Sequence, residues 1–340
     1  MNRIPRTPLL CSVALAAALC APGAALASTA TIQNANRVNV SSSGNEKNQI
    51  AVAYNLALDL YTVTDGAGVT ASGTCAQVDP NTVTCPGAGI QSVRVTAAGG
   101  NDSVALTPAG WPATIEGDLD GGAGDDTVTG AGANDQTKGG TGKDLLDGGP
   151  GADEMRGGSG TDTATYAART TRVIVTVGAN NDNDGNESDQ AATSRDTVHG
   201  DVETVLGGSA GDILIGDKSD ETLFGGDGPD SIQGGRGKDV VAGFLGDDFL
   251  SGDAGNDVLI GAAGNDRMLG GSEDDLLAGG PDNDLLRGGE DQDRMRGKGG
   301  IDVIQARDGF TDIKISCGPG PNGQEVAKRD RRLDPRAKSC

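Results

Sequence analysis

Sixteen acidic side chains recur at a spacing of nine residues. Asp126, Asp135, Asp144, Asp153 and Asp162 form one run; Asp212, Glu221, Asp230, Asp239, Asp248, Asp257, Asp266, Asp275, Asp284, Asp293 and Asp302 form a second. A lone carboxylate predicts no chemistry, but a carboxylate at a fixed period predicts a lattice of cation sites. If the chain returns to the same edge every second block, Asp126 lies over Asp144, Asp230 over Asp248 and Asp239 over Asp257. Stacked strands are about 4.8 Å apart. Two carboxylates about 5 Å apart repel by roughly 3 kcal/mol at an effective dielectric of 20. Repeated along an edge, that repulsion demands a counter-ion. Carboxylates and turn carbonyls offer only oxygen, which suits a hard ion taking six to eight ligands, namely Ca2+. Mg2+ asks for a tighter octahedron, and Zn2+ prefers nitrogen or sulfur.

The elements that must position these acids are written in the same nine residues. Residues 121–129 read GGAGDDTVT, 139–147 GGTGKDLLD and 225–233 GGDGPDSIQ, so the template is G-G-x-G-x-D-x-U-x with U apolar. It fills 121–165 as five blocks and 207–305 as eleven, always with glycine first. Glycines at positions one, two and four permit the positive φ of a tight turn. The last three residues read as a short strand whose middle side chain points inward. Those inward residues include Val128, Leu146, Met155, Leu214, Leu223, Ile232, Val241, Leu250, Leu259, Met268, Leu277, Leu286, Met295 and Ile304, with Thr137 and Ala164 the weak members. Two half-coils then close one flat loop, and one loop stacks on the next. A single file of inward side chains is a thin core against the entropy of ordering the chain. Bound ions must supply part of the difference. At millimolar calcium and a dissociation constant near 0.1 mM, each site would add about 1.4 kcal/mol.

These blocks resemble the nonapeptide of RTX, or haemolysin-type, calcium-binding repeat proteins. The resemblance implies an all-β fold, a parallel β-roll in two arrays, with calcium between successive turns. It also implies that the sixteen sixth-position acids are calcium ligands; the stacked pairs of blocks in the two arrays allow up to about twelve ions. The flanks resemble exported members of the family from high-GC bacteria. The residues concerned are Asp162-Thr163-Ala164-Thr165-Tyr166, Asn183-Asp184-Gly185, Asp201-Val202-Glu203, Arg307-Asp308-Gly309 and Cys317-Gly318. Several blocks depart from the pattern: Glu221 replaces Asp, Glu273, Asp282 and Asp291 take the fourth position, and Phe244 and Lys298 take the second. The glycine-poor blocks from 270 to 296 are therefore expected to be the weakest, and those from Asp230 to Asp266 the best formed.

Around the arrays, the N-terminus reads as a secretory signal. Arg3 and Arg6 precede an apolar run from Leu9 to Ala21, and Ala25-Leu26-Ala27 offers a cleavage site, so 1–27 is expected to be removed. Leu19 before Cys20 argues against a lipoprotein, and the run is too short and poorly flanked for an anchor. Loss of the two arginines takes the formal charge from −22 to −24. That balance disfavours nucleic acid and anionic membranes as partners. Residues 28–116 read as a small β domain, 117–165 as the first array and 166–206 as an inserted strand and loop around Arg172–Val177. Residues 207–305 read as the second array and 306–340 as a cap. Cys75, Cys85, Cys317 and Cys340 allow three pairings in an exported chain; the local ones, Cys75–Cys85 and Cys317–Cys340, are expected. Zinc thiolates fail on spacing, since no C-x-x-C occurs.

Weaker motifs resolve against their bland readings. Asn180-x-Asp182-x-Asp184-Gly185 starts like an EF-hand loop but lacks the bidentate Glu, since Ala191 stands there, so a surface turn is expected. Gly207-Gly208-Ser209-Ala210-Gly211 spells a nucleophile elbow, yet the repeat accounts for every glycine and His199 is the sole histidine. Gly318–Gly323 matches G-x-G-x-x-G without a βαβ unit. Trp111 reads as a cap over the first coil. Outward positions seven and nine of alternate blocks place Thr222, Phe224, Val240, Ala242, Val258, Ile260, Leu276, Ala278, Arg294 and Arg296 on one face. Cover by another part of the chain is the plain expectation for that face; docking or self-association is the sharper one. The function expected is a secreted, non-enzymatic calcium-binding protein, structural or adhesive. The alternative is a secreted hydrolase with the repeats as a folding tail. It lacks a sizeable catalytic domain, and no H-E-x-x-H is present.

Overall fold

A computed structural model describes residues 28–34, 36–107, 110–178, 185–186, 196–306, 314–316 and 326–329. Among them every regular element is a strand. The repeats stack as a parallel roll with an 18-residue coil: Val128 pairs with Leu146, and Val241 with Leu259. Inward side chains form one file, at most 1% exposed from Val128 to Ile304, Thr137 and Ala164 included. The strands are longer than the three residues the pattern suggests. Thr222–Asp227 and Val240–Leu245 run on through the glycine positions, pairing Gly226 with Phe244 and Asp227 with Leu245. Backbone N–H and C=O groups of the turn are thereby satisfied between coils rather than within them.

Three sheets carry the stack. A 15-stranded sheet runs from the N-terminal region through both arrays; Thr204–Leu206 bridges the arrays by pairing with Thr163–Thr165 on one side and Thr222–Asp227 on the other. The opposite wall changes sheet. An eight-stranded sheet ends at Thr197–Val198, and a nine-stranded sheet continues from Val173–Thr176, which pairs with Ile213–Ile215. The interruption between the arrays thus holds the strand expected near 172–177.

Before the repeats the same walls are already present. Arg37–Ser41, Ser92–Thr96 and Glu116–Ala123 stack parallel in one sheet. Gln49–Asn55, Ser103–Thr107 and Thr127–Thr129 stack parallel in the other. An antiparallel extension, Leu60–Asp65 with Thr82–Pro86, continues that second sheet, and a disulfide joins Cys75 to Cys85. Trp111 is buried, its Nε1 donating to the Ile115 carbonyl at 2.7 Å and its ring edge-on to Tyr61 at 5.8 Å. The second disulfide, the EF-hand-like segment and the glycine motif at 318–323 lie outside the described residues.

Candidate metal centres

The sixth-position acids form the predicted rows. Every one of the sixteen is buried, at 0–3% exposure. Asp126, Asp144 and Asp162 share one edge of the first array, and Asp135 and Asp153 the other. In the second array Asp212, Asp230, Asp248, Asp266, Asp284 and Asp302 line one edge. Glu221, Asp239, Asp257, Asp275 and Asp293 line the other.

Eleven of these carboxylates divide their two oxygens between two tasks. Oδ1 accepts the backbone N–H of the acid one coil earlier: Asp126 donates to Asp144 at 2.8 Å, Asp230 to Asp248 at 2.8 Å and Asp239 to Asp257 at 2.9 Å. This ladder was not legible from spacing, which gave only the stacking. Oδ2 of Asp126, Asp144, Asp162, Asp230, Asp239, Asp248, Asp257, Asp266, Asp275, Asp284 and Asp302 is buried with no hydrogen-bond partner among the described residues. An anionic oxygen removed from water without a partner is costly. Burial pushes these carboxyls up, to about 6 at Asp126, Asp162, Asp239 and Asp248, about 7 at Asp230 and Asp284, and about 8 at Asp275. Carboxylates of adjacent coils add to the effect, as Asp144 does at Asp126.

The turn backbone decides whether Oδ2 stays open. Gly122 and Gly124, Gly140 and Gly142, and Gly226 and Gly228 all have positive φ at positions two and four. The departures keep that geometry. Phe244, Asp253 and Ala262 at position two have φ of 80°, 72° and 78°, and Glu273, Asp282 and Asp291 at position four have 78°, 79° and 74°. The glycine-poor blocks thus hold the same left-handed turn, at the strain a side chain adds there. Three turns do not. In 130–135, 207–212 and 216–221 neither position has positive φ. There the N–H of position two folds back onto the acid: Ala131 donates to Asp135 Oδ2 at 2.6 Å, Gly208 to Asp212 Oδ2 at 2.6 Å and Asp217 to Glu221 Oε2 at 3.2 Å.

Three further acids belong to the rows and were missed. Asp102 precedes Asp126, donating its N–H to Asp126 Oδ1 at 2.7 Å. Asp196 accepts the N–H of Asp153 at 2.8 Å, and Glu203 that of Asp162 at 2.7 Å. Glu203 and Val205 could have been found, because 198–206 is in phase with the block starting at 207. Asp201 closes the last turn of the first array, accepting the N–H groups of Gly157 and Gly158. Among the described residues no three His, Cys, Asp or Glu side chains converge on one point. A cation here would draw on backbone carbonyls beside the carboxylate of each turn. The nucleophile-elbow residues are engaged elsewhere: Ser209 Oγ donates to the Arg169 carbonyl at 3.3 Å, and His199 Nε2 bonds Glu154 Oε1 at 2.9 Å.

The sequence matches the RTX calcium-binding nonapeptide repeat (4 copies) over residues 118–137, 132–164, 198–232, 215–243, 242–277 and 269–304. The third segment takes in Glu203 and Val205. No curated protein matches the chain.

Proposed function

We propose, from the premise that residues 118–164 and 198–304 match the RTX calcium-binding nonapeptide repeat, that this chain is a secreted, non-enzymatic protein. On this reading its arrays fold on Ca2+ outside the cell and serve a structural or adhesive role. The observation that carries the reading is the file of eleven buried carboxylate oxygens, from Asp126 to Asp302, without a hydrogen-bond partner among the described residues. A hard divalent cation satisfies such oxygens, and turn carbonyls complete its shell. Asp126, Asp144, Asp162, Asp230, Asp239, Asp248, Asp257, Asp266, Asp275, Asp284 and Asp302 are the side chains best placed to hold ions, with Asp153 and Asp293 completing their rows. Asp135 and Asp212 already use both oxygens, and Glu221 spends Oε2 on the Asp217 N–H, so their turns fit an ion less well. Calcium would neutralise the rows, and up to about twelve ions fit the stacking. Export is supported by the basic, apolar and small-residue order of 1–27.

Calcium titration of the full mature chain, followed by circular dichroism, tests this reading. A β signal should appear cooperatively between sub-millimolar and millimolar calcium and not with magnesium. A fully folded array in chelator would sink it, and hydrolysis of any substrate in a broad panel would overturn the non-enzymatic class.

One face supports a partner. Thr222, Val240, Val258, Leu276 and Arg294 lie in register on one outer wall, beside Phe224, Ile260, Ala278 and Arg296; Ala242, expected on the same stripe, is buried. Leu276 and Phe244 are each 44% exposed, and Phe244 stacks edge-on to Phe224 at 5.5 Å. Such a stripe suits self-association or a protein or cell-surface partner. Val258→Asp with Leu276→Asp should reduce oligomer size at saturating calcium while leaving calcium-induced folding intact. An unchanged size would remove self-association.

A further inference from the structure

The repeat turn is present once more where the repeat sequence is not. Residues 97–105 read Ala-Ala-Gly-Gly-Asn-Asp-Ser-Val-Ala. They lie before the first matched residue, 118. The register of Ser103–Thr107 on Thr127–Thr129 sets Val104 beside Val128 and therefore Asp102 in the place of Asp126. Counting back, Ala98 and Gly100 occupy positions two and four, with φ of 72° and 115°. Gly122 and Gly124 have φ of 104° and 131° in the same places. An alanine held in the left-handed region shows that the turn is imposed by stacking rather than chosen by its residues.

The hydrogen bonds match as well. Ala123 donates to the Ala98 carbonyl at 2.8 Å, as Glu290 does to that of Gly271 at 2.8 Å in the second array. Gly100 donates to the Ala123 carbonyl at 2.7 Å, as Gly124 does to that of Thr141. Asp102 Oδ1 accepts the N–H of Asn48 at 2.6 Å, one coil earlier, which repeats the acid ladder. Oδ2 of Asp102 is buried and without a hydrogen-bond partner among the described residues, and the residue is 3% exposed. Asn48 stands at the acid position of the coil above. Its Nδ2 donates to Glu46 O and Asp102 Oδ1, while its Oδ1 is also buried and partnerless. Two open oxygens on adjacent coils are what a cation would satisfy and what a purely structural turn would avoid.

We infer that the turn 97–102 holds one further calcium ion, with Asp102 as its charged side-chain ligand and Asn48 as a neutral one. The inference rests on the reading of the repeats as calcium sites and extends it past their boundary. The ion joins the N-terminal strands to the first array, so both fold on the same metal. Two differences set its rank. Asn48 offers an amide oxygen where a repeat offers a carboxylate, and Ala97 puts a methyl group where repeats have glycine. This site is therefore the weakest of the row and the last to fill.

Crystals of the full mature chain grown with terbium in place of calcium give the direct test, through anomalous difference density. A peak at the 97–102 turn together with peaks along the repeats is the expected result. Peaks along the repeats and none at 97–102 overturn the inference alone, and no peaks anywhere overturn the reading of the repeats. Calorimetric titration with calcium supplies a second readout. Asp102→Asn keeps an oxygen for the Asn48 N–H and should lower the stoichiometry by one ion, with the β signal of the arrays retained. Asp248→Asn, inside the repeats, should also lower it. A loss with Asp248→Asn and none with Asp102→Asn counts against the site. If Asp102→Asn fails to fold in calcium, the terbium map on the unaltered chain decides.

Discussion

Thr137 is the hydroxyl-bearing member of the inward file, where other blocks carry Val, Leu, Ile, Met or Ala. It is 1% exposed, and its Oγ1 has no partner among the described residues. A buried hydroxyl left unpaired costs about 1–3 kcal/mol. Valine fills nearly the same volume with no group to satisfy. Thr137→Val should therefore raise stability by about 1 kcal/mol in saturating calcium, seen as a thermal midpoint higher by a few degrees. An unchanged or lower midpoint would show that the hydroxyl is satisfied in solution. At this scale the acids differ from Thr137 in kind. Their burial looks like a defect of the same sort, but the period that repeats it from Asp126 to Asp302 turns it into a cation row.

The turn is an element with two failure modes, and position four separates them. Gly142 has a φ of 136°, and a Cβ there would overlap the Gly124 carbonyl of the coil before. Gly142→Ala should destabilise the calcium-loaded array by about 2–4 kcal/mol, from backbone strain and overpacking together. Glu273 holds the equivalent place at φ 78° and adds charge beside Asp257 and Asp275. Glu273→Gly should stabilise by about 0.5–1 kcal/mol, since relief of the left-handed conformation exceeds the entropy that glycine loses. Urea midpoints of the two variants should move in opposite directions; movement the same way would contradict a shared turn geometry. The coil itself was readable in advance, because two fixed positions in nine, such as Asp144 and Leu146, define both its period and its inner face. The strand length was not, since glycines that look like pure turn in 225–227 pair between coils once stacked. Nor was the turn at 97–102, where Ala97 and Ala98 replace both leading glycines and Asp102 lies 24 residues before Asp126 rather than 18. The three self-capped turns were half legible: Ala133, Ala210 and Ser219 lack the fourth glycine, but so do Glu273 and Asp282, which keep the left-handed form.

For the whole molecule the rows act together, and their protonation sets a pH dependence with a definite sign. Folding raises these carboxyls from the ordinary range near 4 to about 6 at Asp126 and Asp248, 7 at Asp230 and 8 at Asp275. The folded state without metal therefore binds protons more tightly than the unfolded state. The stability this contributes is fully present below about pH 4 and is lost as pH rises through 6 to 8. A chain of net charge −22 adds general self-repulsion in the same direction. In chelator the β signal and the urea midpoint should thus be higher at pH 5 than at pH 8. Calcium reverses the slope, because it binds the ionised carboxylates and competes with their protons; half-saturation should require more calcium at pH 5 than at pH 8. Urea melts at the two pH values, each in chelator and in saturating calcium, measure both slopes. The decisive comparison is their sign: opposite slopes follow if the buried oxygens carry the metal. A chelated protein that grows more stable toward pH 8 would mean that its carboxylates are already satisfied without calcium.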